Sequence, residues 1–132
     1  MNYLGRKQVT AAIIRDKDKI LITQRAIEDR LSLKWEFPGG KIEVGETPET
    51  CLIREIHEEL SLEIIVEGHC ATSIYEYDTG EIELMAYFAR IVGGGITLCV
   101  HAAARWARVD ELAEFDFAPA DLPIVAVLQK SL

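Results

Sequence analysis

The sequence predicts an α/β sandwich, a mixed β-sheet with helices packed on it, and three observations carry that prediction. Segments rich in isoleucine, threonine and valine recur at strand length through the chain, a capped amphipathic helix interrupts them, and the chain closes on a second, apolar helix. Residues 9–15 and 19–25 read as strands, and Asp16, Lys17 and Asp18 between them make a hairpin or close pair. A helix then starts at Thr47. Its hydroxyl caps the helix, Pro48 sits where a missing N–H costs nothing, and Glu49 lies in the first turn, where the helix dipole favours an anion. Leu52, Ile53, Ile56 and Leu60 share an arc of roughly 100°, the face expected to pack into a core. Residues 62–66, 69–77 and 81–92 read as further strands, with Asp78, Thr79 and Gly80 as a turn between the last two. Gly93, Gly94 and Gly95 break that pattern, and residues 96–100 and 105–109 form two short strands. Asp110 caps a short helix through Glu114. Asp121 with Pro123 begins the final helix, which runs through Lys130 on Leu122, Ile124, Val125, Val127 and Leu128.

The 132 residues are read as one domain, 1–132, long enough to bury about two-thirds of the unfolded surface. Hydrophobic residues at 49% and charged residues at 27% are ordinary for a soluble globular protein. Met1 to Lys7 has no apolar core of signal-peptide length, and no run approaches the roughly 18 apolar residues of a membrane span, so the expected location is cytoplasmic, with no membrane partner. Of the net charge of −8, residues 41–63 supply −5, from seven acids and two bases. Such a surface repels polynucleotides, whose binding needs clustered lysine and arginine, and excludes a nucleic-acid partner. Free nucleotides remain compatible, because a bound metal inverts the local field and brings phosphates with it.

Cys51, Cys70 and Cys99 are too scattered for a disulfide framework or a zinc site and read as small buried apolar residues. His57, His69 and His101 have no ligand spacing either. Neither the glycine triplet nor Gly39, Gly40 and Lys41 continues as a phosphate loop requires, so both read as turns.

The helix that starts at Thr47 carries Glu55, Glu58 and Glu59 at i, i+3 and i+4, neighbours that repel one another unless something positive sits among them. That spacing is a site for a divalent cation. Magnesium is the natural ion, since it takes a few hard oxygen ligands and completes its shell with waters and substrate phosphates; manganese is a possible substitute. Arg54, four residues before Glu58, reads at the least as an ordinary helix pair.

Gly40, five residues, Glu46, seven residues, Arg54, Glu55 and Ile56, one residue, Glu58 and Glu59, one residue, then Ser61 and Leu62 resembles the Nudix box. One position departs. The box has glycine where this chain has Ser61, directly after the helix, where a positive φ is cheap for glycine and costs something for serine. The resemblance extends to residues 22–26 (Ile-Thr-Gln-Arg-Ala), 35–41 (Trp-Glu-Phe-Pro-Gly-Gly-Lys) and 117–123 (Phe-Ala-Pro-Ala-Asp-Leu-Pro), which are similar to the MutT-like branch. It implies the Nudix fold, an α/β/α sandwich around a mixed sheet, and Mg-dependent hydrolysis of nucleoside triphosphates to a monophosphate and pyrophosphate, in the service of nucleotide-pool sanitation and DNA repair.

By the same resemblance Glu55, Glu58 and Glu59 hold the metal with the carbonyl of Gly39, Arg54 orients the carboxylates, and one glutamate of the group is the general base. Family members often carry a further glutamate six residues before a tryptophan; before Trp106 that position is Val100, followed by His101. Proton transfer then falls to Glu55 or Glu59, or the site is less active than its relatives. Arg25 and Phe37 are implied to line the nucleotide pocket and Asp121 to read the base. Each has a plainer reading, Arg25 as a surface charge, Phe37 as core and Asp121 as a helix cap. A carboxylate at 121 accepts hydrogen bonds, which favours a base edge that donates, such as the N4 amino group of cytosine. The expectation is a preference for CTP or modified dCTP, with 8-oxo-dGTP as the alternative. Cleavage of ADP-ribose or dinucleoside polyphosphates is a second reading, and a catalytically inactive nucleotide sensor a third.

Overall fold

Thr10, Ala11, Ala12, Ile13 and Ile14 are all buried in strand β1 (Lys7–Asp16), and the fold is built outward from it. The computed structural model describes residues 6–130; residues 1–5, expected to carry no leader, lie outside the described residues. Successive side chains of a strand point to opposite faces, so a strand buried throughout has cover on both sides. Ala11 and Ile13 join a core with Ile124, Val125 and Leu128 of helix α2 (Leu122–Lys130). Ala12 and Ile14 join a second core with Leu52, Ile56 and Leu60 of helix α1 (Pro48–Leu60). The result is the expected α/β/α sandwich.

Strand β5 (Gly80–Gly94) runs parallel to β1 from the Lys7–Ile82 pair to the Ile14–Ala89 pair, and β4 (Leu62–Tyr77) lies antiparallel on its far side. On the other flank β2 (Lys19–Gln24) pairs antiparallel with β6 (Ala103–Arg108) and with the short β3 (Trp35–Glu36). The sheet is therefore mixed.

The hairpin of β1 and β2 closes only beside its turn, at the pairs Arg15–Ile20 and Asp16–Lys19. Beyond those pairs the strands part, and residues 38–42 take up the edge of β1 that β2 leaves. Thr10 N donates to Gly40 O (2.8 Å), Ala12 N to Pro38 O (2.7 Å), and Ile42 N to Gln8 O (3.0 Å). This close approach explains Gly39, where an added Cβ would stand 2.0 Å from Thr10 O.

Several boundaries differ from the sequence reading. The two strands expected over 62–66 and 69–77 are one strand, because Gly68 and its neighbours are absorbed as bulges between Val66 and Gly68 and between His69 and Ala71. Gly93 and Gly94 pair with Glu63 and Leu62 and so extend β5 instead of breaking it. Residues 96–100 are not a strand: Thr97 N donates to Leu60 O (2.9 Å) and Cys99 N to Glu59 O (3.3 Å), so the segment spends its donors on the end of α1. The short helix Val109–Glu114 is a 3₁₀ helix in which the Glu111 carboxylate, not Asp110, accepts from the N-cap amide of Arg108 (2.8 Å). Asp121 ends a 3₁₀ turn, Pro119–Asp121, ahead of α2. Cys51 is buried as expected, whereas Cys70 is half-buried and Cys99 exposed. Among the described residues no helix is long and apolar enough to cross a membrane.

Candidate active site

Helix α1 starts as its sequence dictates. Thr50 N donates to Thr47 Oγ1 (3.1 Å), Thr47 N donates to Thr50 Oγ1 (3.0 Å), and Pro48 occupies the first turn. The helix ends on Ser61, which holds φ at 59° and donates its N–H to His57 O (3.0 Å). Cys51, Leu52, Ile56 and Leu60 make the buried face; Ile53, expected to belong to it, is exposed. Cys51 takes the inward place instead, with its sulfur 3.3 Å from Thr10 Oγ1.

Arg54 gathers the acids on the outer face. Its Nε and Nη2 meet the two oxygens of Glu46 at 2.6 and 2.9 Å, and Nη1 reaches Glu55 at 2.7 Å and Glu58 at 3.3 Å. The guanidinium beside Glu46 and the amide of Glu43 hold the Glu46 carboxyl down at about 2. The helix pair read from the sequence is thus one of the longer arms of a cluster that also takes in Glu43 at 3.9 Å, and Glu46, to which the sequence assigned no role, is its firmest. Glu55 also lies against the loop: a Cβ on Gly40 would stand 2.3 Å from its carboxylate.

Glu59, beside Glu55, also lines a cavity of about 500 Å³ that it shares with Gly39, Glu36, His101, Phe37 and Asp121. Burial first, and then the charges of Glu55, Glu36 and Glu58, raise its carboxyl to about 8. Its Oε1 is buried without a hydrogen-bond partner. His101 Nε2 lies 3.4 Å from Glu36 Oε2 and 3.9 Å from Glu59 Oε1, and Arg25 Nη1 donates to Glu36 Oε1 (2.9 Å).

Arg25, Phe37 and Asp121 all line the same cavity. Phe37 is buried and packs on Phe117 at 5.2 Å between ring centroids, so it is core as well as wall. Arg25 is no free surface charge, given its bond to Glu36. Asp121 is no helix cap: its Oδ2 accepts from Phe37 N (3.0 Å). Burial, with Glu36 adding to it, pushes the Asp121 acid well above the usual carboxylate range.

A model of the NUDIX domain matches residues 5–128. The chain belongs to the Nudix family. The Escherichia coli (strain K12) CTP pyrophosphohydrolase is 35% identical over 118 residues, which cover 89% of this chain and 87% of that protein. The 8-oxo-dGTP diphosphatase of the same strain is 33% identical over 128 residues, covering 96% and 99%. The solution structure of the DNA mismatch repair protein MutT from methicillin-resistant Staphylococcus aureus 252 superposes with a TM-score of 0.77 at 38% identity, covering 96% of this chain and 98% of that one.

Nudix hydrolases generally need a divalent metal, and the residues of this Nudix protein fit one. A buried carboxylate oxygen without a donor, surrounded by like charges, is where a cation is favoured, and an all-oxygen donor set suits a hard one. As they stand, the acids are spread between Arg54 and the cavity; among the described residues no three His, Cys, Asp or Glu side chains converge on a ready ion position. Sequence reasoning missed Glu36 and His101. Glu36 lies inside the Trp-Glu-Phe-Pro-Gly-Gly-Lys run that carried the resemblance, which was the available signal. His101 offered only its place beside Val100, since its partners come from β3 and α1 and no spacing announces them.

Proposed function

We propose that this Nudix protein is a magnesium-dependent nucleoside triphosphate pyrophosphohydrolase, converting a triphosphate to a monophosphate and pyrophosphate, with cytidine-type triphosphates preferred. One observation carries the reading: a single cavity runs from Asp121 and Phe37 to Gly39 and Glu59, so one ligand can meet the base-reading residues and two of the metal-holding positions together. In this reading Glu55, Glu58 and Glu59, with the Gly39 carbonyl, hold the ion, and Arg54 orients Glu55 and Glu58. A bound divalent ion neutralises phosphate oxygens while water attacks phosphorus. Glu55 or Glu59 takes the proton from that water. Phe37 packs on the base, Arg25 faces the nucleotide from the cavity wall, and Asp121 reads the base edge.

Cytosine offers an N4 donor beside an N3 acceptor, and the oxygens of the Asp121 carboxyl can accept from that donor. The 35% identity to a CTP pyrophosphohydrolase supports the same preference. Oxidised guanine also pairs a donor with an acceptor, and the 33% identity to an 8-oxo-dGTP diphosphatase favours that as the second reading.

Initial rates of pyrophosphate release over a panel of triphosphates with magnesium test both. CTP or a modified dCTP is expected to lead; 8-oxo-dGTP ahead of every cytosine nucleotide by more than about tenfold overturns the preference and leaves the reaction class standing. Loss of turnover in Glu58→Gln supports an enzyme, and no turnover of any nucleotide by the native chain favours a sensor.

A further inference from the structure

We propose that His101 is a positioning residue that fixes the direction in which Glu59 meets a divalent cation. The imidazole stands in the segment between β5 and β6, its side chain only 5% exposed, between two carboxylates from different elements. Its Nε2 is 3.4 Å from Glu36 Oε2 and 3.9 Å from Glu59 Oε1. The first distance is at the edge of a hydrogen bond and the second beyond it.

The placement of the ring is set from both ends of its segment. Cys99 N donates to Glu59 O (3.3 Å) and Ala102 N to Gln24 O (2.9 Å), so the histidine is strung between the helix that carries Glu59 and the strand that leads to Arg25. Glu36 is fixed in turn by Arg25 Nη1 at 2.9 Å. A chain of contacts, Arg25 to Glu36 to His101 to Glu59, thus joins the nucleotide wall of the cavity to its metal wall.

Three buried polar atoms along these contacts have no hydrogen-bond partner: Arg25 Nε, His101 Nδ1 and Glu59 Oε1. An apolar residue of the same size would leave no unsatisfied Nδ1, so packing alone does not call for an imidazole beside the unpartnered Glu59 Oε1. A ring that bears on the Glu59 carboxyl and sets the direction in which it faces an ion gives the arrangement a use. Such outer partners of metal ligands are worth about 10–100-fold in metal affinity.

The inference rests on the reading of Glu59 as a metal ligand, and its test separates the two. Binding of Mn2+ to the whole protein, followed by the paramagnetic resonance of the free ion, is compared for the native chain, His101→Ala, His101→Leu and His101→Gln. We expect Ala and Leu to weaken binding by about tenfold or more and Gln, whose amide N–H reaches a similar point, to stay within about threefold of native. Leu fills the cavity and keeps the comparison valid where Ala fails to fold. Mn2+ affinity within about twofold of native in Leu, or Gln no better than Leu, overturns the inference and leaves the proposed function intact. A native chain that binds no Mn2+ overturns both.

Discussion

Arg54 closes its fork on Glu46, with Nε and Nη2 2.6 and 2.9 Å from the two carboxylate oxygens, and that pair anchors the loop before α1 to the middle of the helix. Bidentate geometry of this kind belongs to arginine alone. Arg54→Lys is expected to lower kcat by about 10–100-fold, because Glu55 and Glu58 lose the group that orients them. Stability follows pH in a defined direction. Glu46 titrates at about 2 in the fold against an ordinary 4.5, so its contribution is present above pH 4.5 and disappears as pH falls towards 2. Urea melts of the native and Arg54→Lys chains should differ at neutral pH and converge across that window.

Glu59 gives the opposite sign. Its acid is raised to about 8 from 4.5, so its neutral form stabilises the metal-free fold fully below pH 4.5, and that stability is lost as pH rises through 8. Glu59→Gln should remove this slope and leave the metal-free protein more stable at pH 8, by an amount of order 2 kcal/mol. Thermal melts in a chelator, at pH 5 and pH 8, measure it; equal slopes in the two proteins would contradict the assignment.

The adjacent glycines Gly39 and Gly40 should separate stability from activity. In Gly39→Ala the new Cβ meets the Thr10 backbone oxygen at 2.0 Å, which cannot yield without lifting the loop off β1, and a loss of roughly 2–3 kcal/mol is expected. In Gly40→Ala it meets the end of the Glu55 side chain at 2.3 Å, which can swing away. The second variant should keep its melting temperature within about 3 °C and lose at least about tenfold in kcat.

Ser61 holds φ at 59° after the helix, a conformation that glycine adopts without strain. Ser61→Gly should therefore stabilise by about 0.5–1 kcal/mol, a rise of about 2–4 °C in Tm, with activity unchanged. A fall in Tm would show that the serine is held by something other than backbone conformation.

Legibility in the sequence followed the range of the interactions. Thr47, Pro48 and the inward leucines of α1 speak for themselves because capping and helical period are local, and the two-sided burial of β1 is visible in its unbroken apolar run. What failed depended on partners far along the chain. Residues 96–100 have strand-like composition, yet their amides are taken by the end of α1. The buried arc of α1 takes in Cys51, whose sulfur meets Thr10 on β1, and leaves Ile53 outside it. Glu36 and His101 meet only after β3, α1 and the segment before β6 have assembled, and the Asp121 acid is pushed upward chiefly because the fold buries it.

The parting of β1 from β2 has a mechanical consequence. The glycine pair beside the acids occupies the berth of a missing strand, zipped to the most deeply buried segment of the molecule through Thr10 and Ala12. Loosening that wall means unzipping the central sheet, so the amides of Thr10 and Ala12 should exchange with solvent only through global unfolding. The Pro38 and Gly40 carbonyls are thereby tied as firmly as the scaffold itself, and the Gly39 backbone is held between them.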